Sequence, residues 1–169
     1  MRLFEIEQKY RLRDPKRVRA ALKKMGARKT ANGVESNEFY DRDDFFKKQK
    51  VALRLRRFGK GLATLTLKGP RIQSKFTKRM EIETPIECAT AKEMLHFLGC
   101  QIWRQYSKKR EVYKLGKTIV TVDFLKKFGW FLEIEGQPRA IGKFEKKLGL
   151  RVSDREKRSY LQMMFGWRN

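Results

Sequence analysis

The stretch from residue 52 to residue 68, ALRLRRFGKGLATLTLK, decides the fold. Successive side chains of a β-strand point to opposite faces. Leu53 and Leu55 therefore oppose Arg54 and Arg56; beyond the glycine-containing turn Phe58-Gly59-Lys60-Gly61, Ala63, Leu65 and Leu67 oppose Thr64, Thr66 and Lys68. This is a hairpin pattern with one apolar face and one polar, largely charged face. The same alternation recurs along the chain. Phe4 and Ile6 oppose Glu5, Glu7 and Lys9; Met80 and Ile82 oppose Arg79, Glu81 and Glu83; Leu132 and Ile134 oppose Glu133 and Glu135. Lys108 and Arg110 share a face of another strand, as do Thr121 and Asp123, and Glu111 to Leu115 and Thr118 to Phe124 flank Gly116-Lys117 as a second hairpin.

Four helices are predicted between and after these strands. Asp14-Pro15 reads as an N-cap and first helical position, with Val18, Ala21, Leu22 and Met25 at helical spacing up to Gly26. Thr90 and Glu93 read as a capping box ahead of Met94, Leu95 and Leu98, with Gly99 as the stop. Ile141, Phe144 and Leu148 before Gly149 mark a third helix, and Ser153 through Phe165 a fourth. A faint repeat joins the halves: a Glu-Ile-Glu strand (Glu5 to Glu7, Glu81 to Glu83) precedes a helix ending at Gly26 or Gly99, and hairpins follow. No linker separates the halves, so residues 1–169 are read as a single domain.

Alternation of this kind is compatible with an open antiparallel sheet that has one solvated face. Such a face mixes Ser, Thr, Gln and Lys, whereas here it is almost wholly Glu, Asp, Arg and Lys. With helices to cover the apolar faces, the charged faces curl toward one another and close a barrel of about eight strands, wide enough for one small ligand. Its interior would gather seven carboxylates (Glu5, Glu7, Glu81, Glu83, Asp123, Glu133, Glu135) and seven cations (Lys9, Arg54, Arg56, Lys68, Arg79, Lys108, Arg110). Burying them is costly unless each is paired or met by a ligand. Hard oxygen donors without His or Cys select Mg²⁺ or Mn²⁺, which bridge to phosphates, and the cations would grip phosphate oxygens.

Composition narrows the alternatives. Forty-two basic against nineteen acidic residues leave a net charge of +23, so the partner is expected to be polyanionic: nucleic acid, phosphate ester or acidic membrane. The amino terminus carries no apolar signal region, and no run of about 18 apolar residues occurs, which argues against secretion and membrane spanning. Cys88 and Cys100 are the two cysteines and His96 the one histidine, with no zinc-type spacing. A reduced, cytoplasmic setting is expected, with His96 structural or exposed.

Glu5-Ile6-Glu7-Gln8-Lys9 matches an ExExK signature, and the blocks around Phe39-Tyr40-Asp41, Leu53 to Arg56, Leu65 to Pro70, Arg79 to Glu83, Lys108 to Tyr113, Val120 to Asp123 and Phe131 to Glu135 follow in order. Together they resemble the CYTH superfamily, the triphosphate tunnel metalloenzymes. Ser159-Tyr160-Leu161 looks like the branch of class IV adenylyl cyclases and related prokaryotic proteins; thiamine and inorganic triphosphatases share the superfamily. The resemblance implies an α+β fold: an eight-stranded antiparallel β-barrel, the triphosphate tunnel, with helices packed outside. By matching positions it implies metal binding by Glu5, Glu7, Asp123, Glu133 and Glu135 with Glu81 and Glu83 in support, phosphate binding by Lys9, Arg54, Arg56, Lys68, Lys108 and Arg110, and proton transfer by Lys9, Glu5 or Glu7. Arg79 either joins the phosphate set or pairs with an interior carboxylate. The implied substrates are ATP, thiamine triphosphate or inorganic triphosphate, with Mg²⁺ or Mn²⁺ as cofactor and a homodimer as the assembly. Residues Leu125 to Trp130 depart from the pattern, being basic and aromatic where relatives are acidic; they either line a tunnel mouth or form a solvated turn with Trp130 packed on the barrel. The rival from another class is a non-catalytic polyanion or RNA-binding module.

Overall fold

Among the described residues nine strands form one antiparallel sheet, and several of them turn outward an apolar face that helices cover. The computed structural model describes residues 4–59 and 61–166; Lys60 of the expected turn and Met1 to Leu3 of the amino-terminal reading lie outside them. The strands are β1 (Phe4–Leu12), β2 (Arg28–Asp41), β3 (Ala52–Phe58), β4 (Ala63–Ile72), β5 (Thr77–Ile86), β6 (Gln101–Leu115), β7 (Thr118–Leu125), β8 (Gly129–Glu135) and β9 (Arg155–Glu156). They pair in the order β5-β4-β3-β2-β6-β7-β8-β1-β9, and β5 also pairs with β1. That last pairing, Phe4 with Met80 through Glu7 with Thr77, closes eight strands into a barrel. Where β5 leaves the β1 edge, β9 takes over, opposing Lys9 and Tyr10.

The helices are α1 (Pro15–Lys24), α2 (Phe45–Lys48), α3 (Cys88–Phe97), α4 (Pro138–Leu148) and α5 (Tyr160–Phe165). Val18 and Leu22 of α1 and Ile141, Phe144 and Leu148 of α4 pack with Tyr10, Val120, Val122, Leu132 and Ile134 on the outer face of β1, β7 and β8. Ala91 and Leu95 of α3 pack with Tyr40, Leu53, Leu55 and Ala63 outside β2, β3 and β4. The barrel thus wears its apolar residues outside, and the order strand, helix, long strand, hairpin occurs twice.

Three local readings change. Helix α3 starts a turn earlier than the Thr90 box, because the Glu87 carboxylate accepts from the Thr90 backbone N–H at 2.7 Å and from its hydroxyl at 3.0 Å. The segment from Ser153 to Phe165 is not one helix: after a 3₁₀ turn at Val152–Asp154, the backbone of Arg155 and Glu156 is drawn onto the β1 edge. Helix α5 then begins afresh with Ser159 and Gln162 as a reciprocal capping box. Helix α2 was not anticipated; the Asp41 carboxylate organises it by accepting from the backbone N–H groups of Arg42, Phe46 and Lys47.

Candidate functional site in the barrel interior

With the apolar alternate residues turned out, strand geometry leaves the charged ones no direction but inward. Glu5, Glu7 and Lys9 from β1, Arg54 and Arg56 from β3, Lys68 from β4, Arg79, Glu81 and Glu83 from β5, Lys108 and Arg110 from β6, and Glu133 and Glu135 from β8 line one cavity of about 560 Å³. Asp123 of β7 lies behind them, fully buried.

Followed around the tilted strands, the registers stack this interior in layers. Phe58, Leu62, Val112 and Ile119 form an apolar collar at one end, with Phe4 at its rim. Two charged layers fill the middle. At the other end Phe39, Ala52 and Tyr106 meet Tyr160 and Leu161 of α5, which lies across the opening. Lys9 sits at this closed end: its ammonium donates to the Arg158 carbonyl at 3.0 Å and lies 3.7 Å from the centre of the Tyr160 ring.

The charges are interleaved rather than segregated. Lys68 donates to both oxygens of Glu5 (3.0 and 2.9 Å) and to Glu81 at 2.8 Å. Arg79 reaches Glu5 at 2.9 Å and Glu7 at 3.5 Å, so of its two readings the pairing with interior carboxylates is the one displayed. Asp123 accepts from Arg110 (2.7 and 2.6 Å), from Lys108 at 3.0 Å and from the Tyr160 hydroxyl at 2.8 Å. Arg110 also reaches Glu133 at 2.5 Å, and Lys9 lies 3.3 Å from the same carboxylate. Because cations separate them, no three His, Cys, Asp or Glu side chains among the described residues gather into a set that could hold a metal ion.

Compensation is uneven, and proton affinities record it. Burial pushes the Glu5 carboxyl up, but Lys68 and Arg79 outweigh it and hold it well below the ordinary value. Burial likewise works against Glu133, where Lys108, Lys9 and Arg110 prevail and bring it to about 2. Glu7 stays raised by burial together with the charges of Glu5 and Glu133. Glu81, desolvated and hydrogen-bonded to Glu5, rises to about 7. Burial lowers Lys9 against the attraction of Glu133 and Glu7.

Arg54 is the exception among the interior cations. It is 9% exposed, and its Nε and Nη2 have no hydrogen-bond partner; the nearest carboxylate, Glu81, is 4.0 Å away. A buried guanidinium with unmet donors is costly unless an anion meets it.

Some interior residues escaped the sequence reading. Glu35 and Asn37 of β2 are almost fully buried, with Glu35 3.3 Å from Lys108 and 3.2 Å from Arg110. Their strand runs Val34-Glu35-Ser36-Asn37-Glu38, polar on both faces, so no alternation marked it. Tyr160, read from the sequence as part of the last helix and of the Ser159-Tyr160-Leu161 block, had no expected place in the interior. The turn after β7 resolves differently from a tunnel mouth: Lys126 and Lys127 are exposed, and Trp130 packs outside the barrel, 4.9 Å from Phe124 and under Arg19 at 4.8 Å. His96 is exposed near the end of α3. No helix among the described residues is long and apolar enough to cross a membrane.

Residues 3–160 match the CYTH domain. The chain is 30% identical over 150 residues to a protein of Methanocaldococcus jannaschii named a putative adenylate cyclase, covering 86% of this chain and 84% of that protein. Among solved structures it resembles a putative adenylate cyclase from Vibrio parahaemolyticus (TM-score 0.87, 26% identity, 97% of this chain and 99% of that one). It also resembles a protein from Pyrococcus horikoshii (TM-score 0.79, 30% identity, 97% and 99%).

Proposed function

The chain belongs to the CYTH family of triphosphate tunnel proteins, and on that premise we propose that it is a metal-dependent enzyme that takes ATP into the barrel and converts it to cyclic AMP and pyrophosphate. The observation that carries this reading is Arg54, a cation that lines the charged cavity and whose buried Nε and Nη2 have no hydrogen-bond partner. Phosphate oxygens would satisfy it, with Lys68, Lys108, Arg56 and Arg110 close by and Lys9 at the closed end. The relatives named putative adenylate cyclases support the choice of a nucleotide.

The layering supports a polarity. The collar of Phe58, Leu62, Val112 and Ile119 suits a nucleobase, and the terminal phosphates would point toward Lys9 and Tyr160. The ribose 3′-hydroxyl then lies toward the collar. Its oxygen would attack the α-phosphorus, the bond from that phosphorus to the bridging oxygen would break, and pyrophosphate would leave toward Lys108 and Lys9. The hydroxyl proton would pass to Glu7, whose proton affinity is raised, rather than to Glu5, which Lys68 and Arg79 hold ionised, or to Lys9, which lies beyond the terminal phosphates. Arg54 and Lys68 would stabilise charge gathering on the departing oxygens.

The donor set fits a divalent cation in its chemistry: all-oxygen ligands, with Glu7 raised by burial and by repulsion from Glu5 and Glu133 that Arg79 and Lys68 only partly offset. We assign that ion to Glu5, Glu7, Glu133 and Glu135, with Glu81 and Glu83 in support, on condition that substrate phosphates draw off the cations that hold these carboxylates apart. When bound it would neutralise phosphate charge and polarise the phosphoryl oxygens. Asp123, whose oxygens are taken by Lys108, Arg110 and Tyr160, is assigned to holding those cations.

The test is incubation with ATP, thiamine triphosphate and inorganic triphosphate, each with Mg²⁺ or Mn²⁺, and chromatographic identification of products. Cyclic AMP is the expected product from ATP. Orthophosphate without cyclic AMP would replace cyclisation by hydrolysis, and no metal-dependent turnover of any of the three would refute the enzymatic reading.

A further inference from the structure

The tunnel does not account for the charge of this protein. Seven cations and eight carboxylates face the interior, counting Glu35 and Asp123, and 35 basic against 11 acidic residues of the sequence remain elsewhere. That excess has a focus. Helices α1 and α4 pack side by side over the barrel, close enough that the Arg17 guanidinium lies 3.3 Å from where a Cβ on Gly149 would sit. Their outer faces expose Lys16, Arg17, Lys23 and Lys24 on one helix and Arg139, Lys143, Lys146 and Lys147 on the other. Helix α1 contains no acidic residue, and the one in α4, Glu145, is turned to Tyr10 at 2.5 Å and Arg155 at 3.0 Å. Arg139 and Lys143, and Lys143 and Lys147, are like-charge neighbours four apart, a destabilising spacing that no acidic residue on these faces relieves.

We propose that the α1–α4 face binds the phosphate backbone of double-stranded nucleic acid, independently of the tunnel. Two observations select this occupant. The apolar residues of both helices, Val18 and Leu22, Ile141, Phe144 and Leu148, are consumed by the barrel, so the outer face has nothing to insert into a lipid boundary. It also exposes no aromatic ring on which the bases of a single strand could stack. What remains is a sequence-independent electrostatic surface. Helix α1, about 15 Å long at 1.5 Å per residue, spans roughly nine duplex charges at one per ~1.7 Å. Engagement of about five phosphates is a reasonable share.

The experiment is fluorescence anisotropy with labelled 20-base-pair duplexes of mixed sequence, DNA and RNA in separate arms. Five contacts give a log–log salt slope of about −4.5, a loss of about 500-fold in affinity between 50 and 200 mM salt. The triple variant Lys143→Gln/Lys146→Gln/Lys147→Gln is expected to bind at least tenfold more weakly at 50 mM with a slope nearer −2, while triphosphate turnover stays as in the parent. A control triple on other elements, Lys48→Gln/Lys50→Gln/Arg57→Gln, is expected to change affinity less than twofold. Circular dichroism checks folding, and Lys16→Gln/Lys23→Gln/Lys24→Gln repeats the test from α1. Absence of duplex binding at 50 mM, equal losses in the face and control triples, or capture by phosphatidylserine vesicles in preference to duplex would each overturn the assignment.

Discussion

Replacing Arg54 by Met is expected to move stability and ligand affinity in opposite directions. In the ligand-free protein the Arg54 guanidinium is buried with Nε and Nη2 unmet, and it lies 4.0 Å from its nearest acid. Each unmet buried donor costs about 1–3 kcal/mol. Against that stand the weak attraction to Glu81 and the part Arg54 plays, after Lys108 and Arg110, in lowering Glu35. The net is a gain of about 1–2 kcal/mol, which for a chain of this size raises Tm by about 2–8 °C. With triphosphate present the sign reverses. Charged hydrogen bonds from a guanidinium to phosphate contribute about 1.5–3 kcal/mol each, so losing about 3 kcal/mol weakens binding about 150-fold. Scanning calorimetry without ligand and isothermal titration with inorganic triphosphate measure the two halves. A variant less stable than the parent, or one that binds triphosphate as the parent does, would refute the idea that Arg54 is held in waiting for an anion.

Asp123→Asn removes the acceptor shared by Lys108, Arg110 and the Tyr160 hydroxyl; with Glu35 and Glu133 still facing those cations, the cost is about 3 kcal/mol, a Tm fall of about 6–12 °C. An unchanged melting temperature would dismiss its structural role. Phe58→Ala, at the collar, is expected to weaken ATP binding about tenfold, a typical aromatic contribution, while leaving inorganic triphosphate within twofold; equal losses for both would reverse the polarity. Glu111, outside the barrel, resists burial through hydrogen bonds from Arg19, Tyr113 and Lys29, which bring it down to about 2. A carboxyl depressed in the folded state stabilises above its unfolded value near 4.3 and loses that contribution as pH falls toward 2. After allowance for solvent screening, Glu111→Gln should cost about 1 kcal/mol at pH 7, and urea melts should show the difference from the parent closing between about pH 5 and pH 2.

The barrel was legible wherever a strand set an apolar face against a charged one. Leu53 and Leu55 against Arg54 and Arg56, and Leu132 and Ile134 against Glu133 and Glu135, specify both register and direction, since a slip of one residue would turn the charges outward. Legibility failed where both faces were polar. In β2, Ser36 and Glu38 lie on the outside while Glu35 and Asn37 lie within, and nothing in the residue types separates them. It failed again where tertiary pairing overrode local preference, as at Arg155 and Glu156, whose backbone completes the β1 edge that β5 abandons. Composition and alternation also address different parts of the molecule. The excess of +23 suggested a polyanion, and the inward charges suggested where it would sit. Yet the interior is balanced by its own carboxylates, so its affinity for phosphate comes from arrangement, above all from a guanidinium with two unmet donors, rather than from surplus charge. The surplus lies on the helices, where it acts at longer range and is screened by salt. Anion recognition in the tunnel should therefore depend little on ionic strength, and recognition on the α1–α4 face should depend on it steeply.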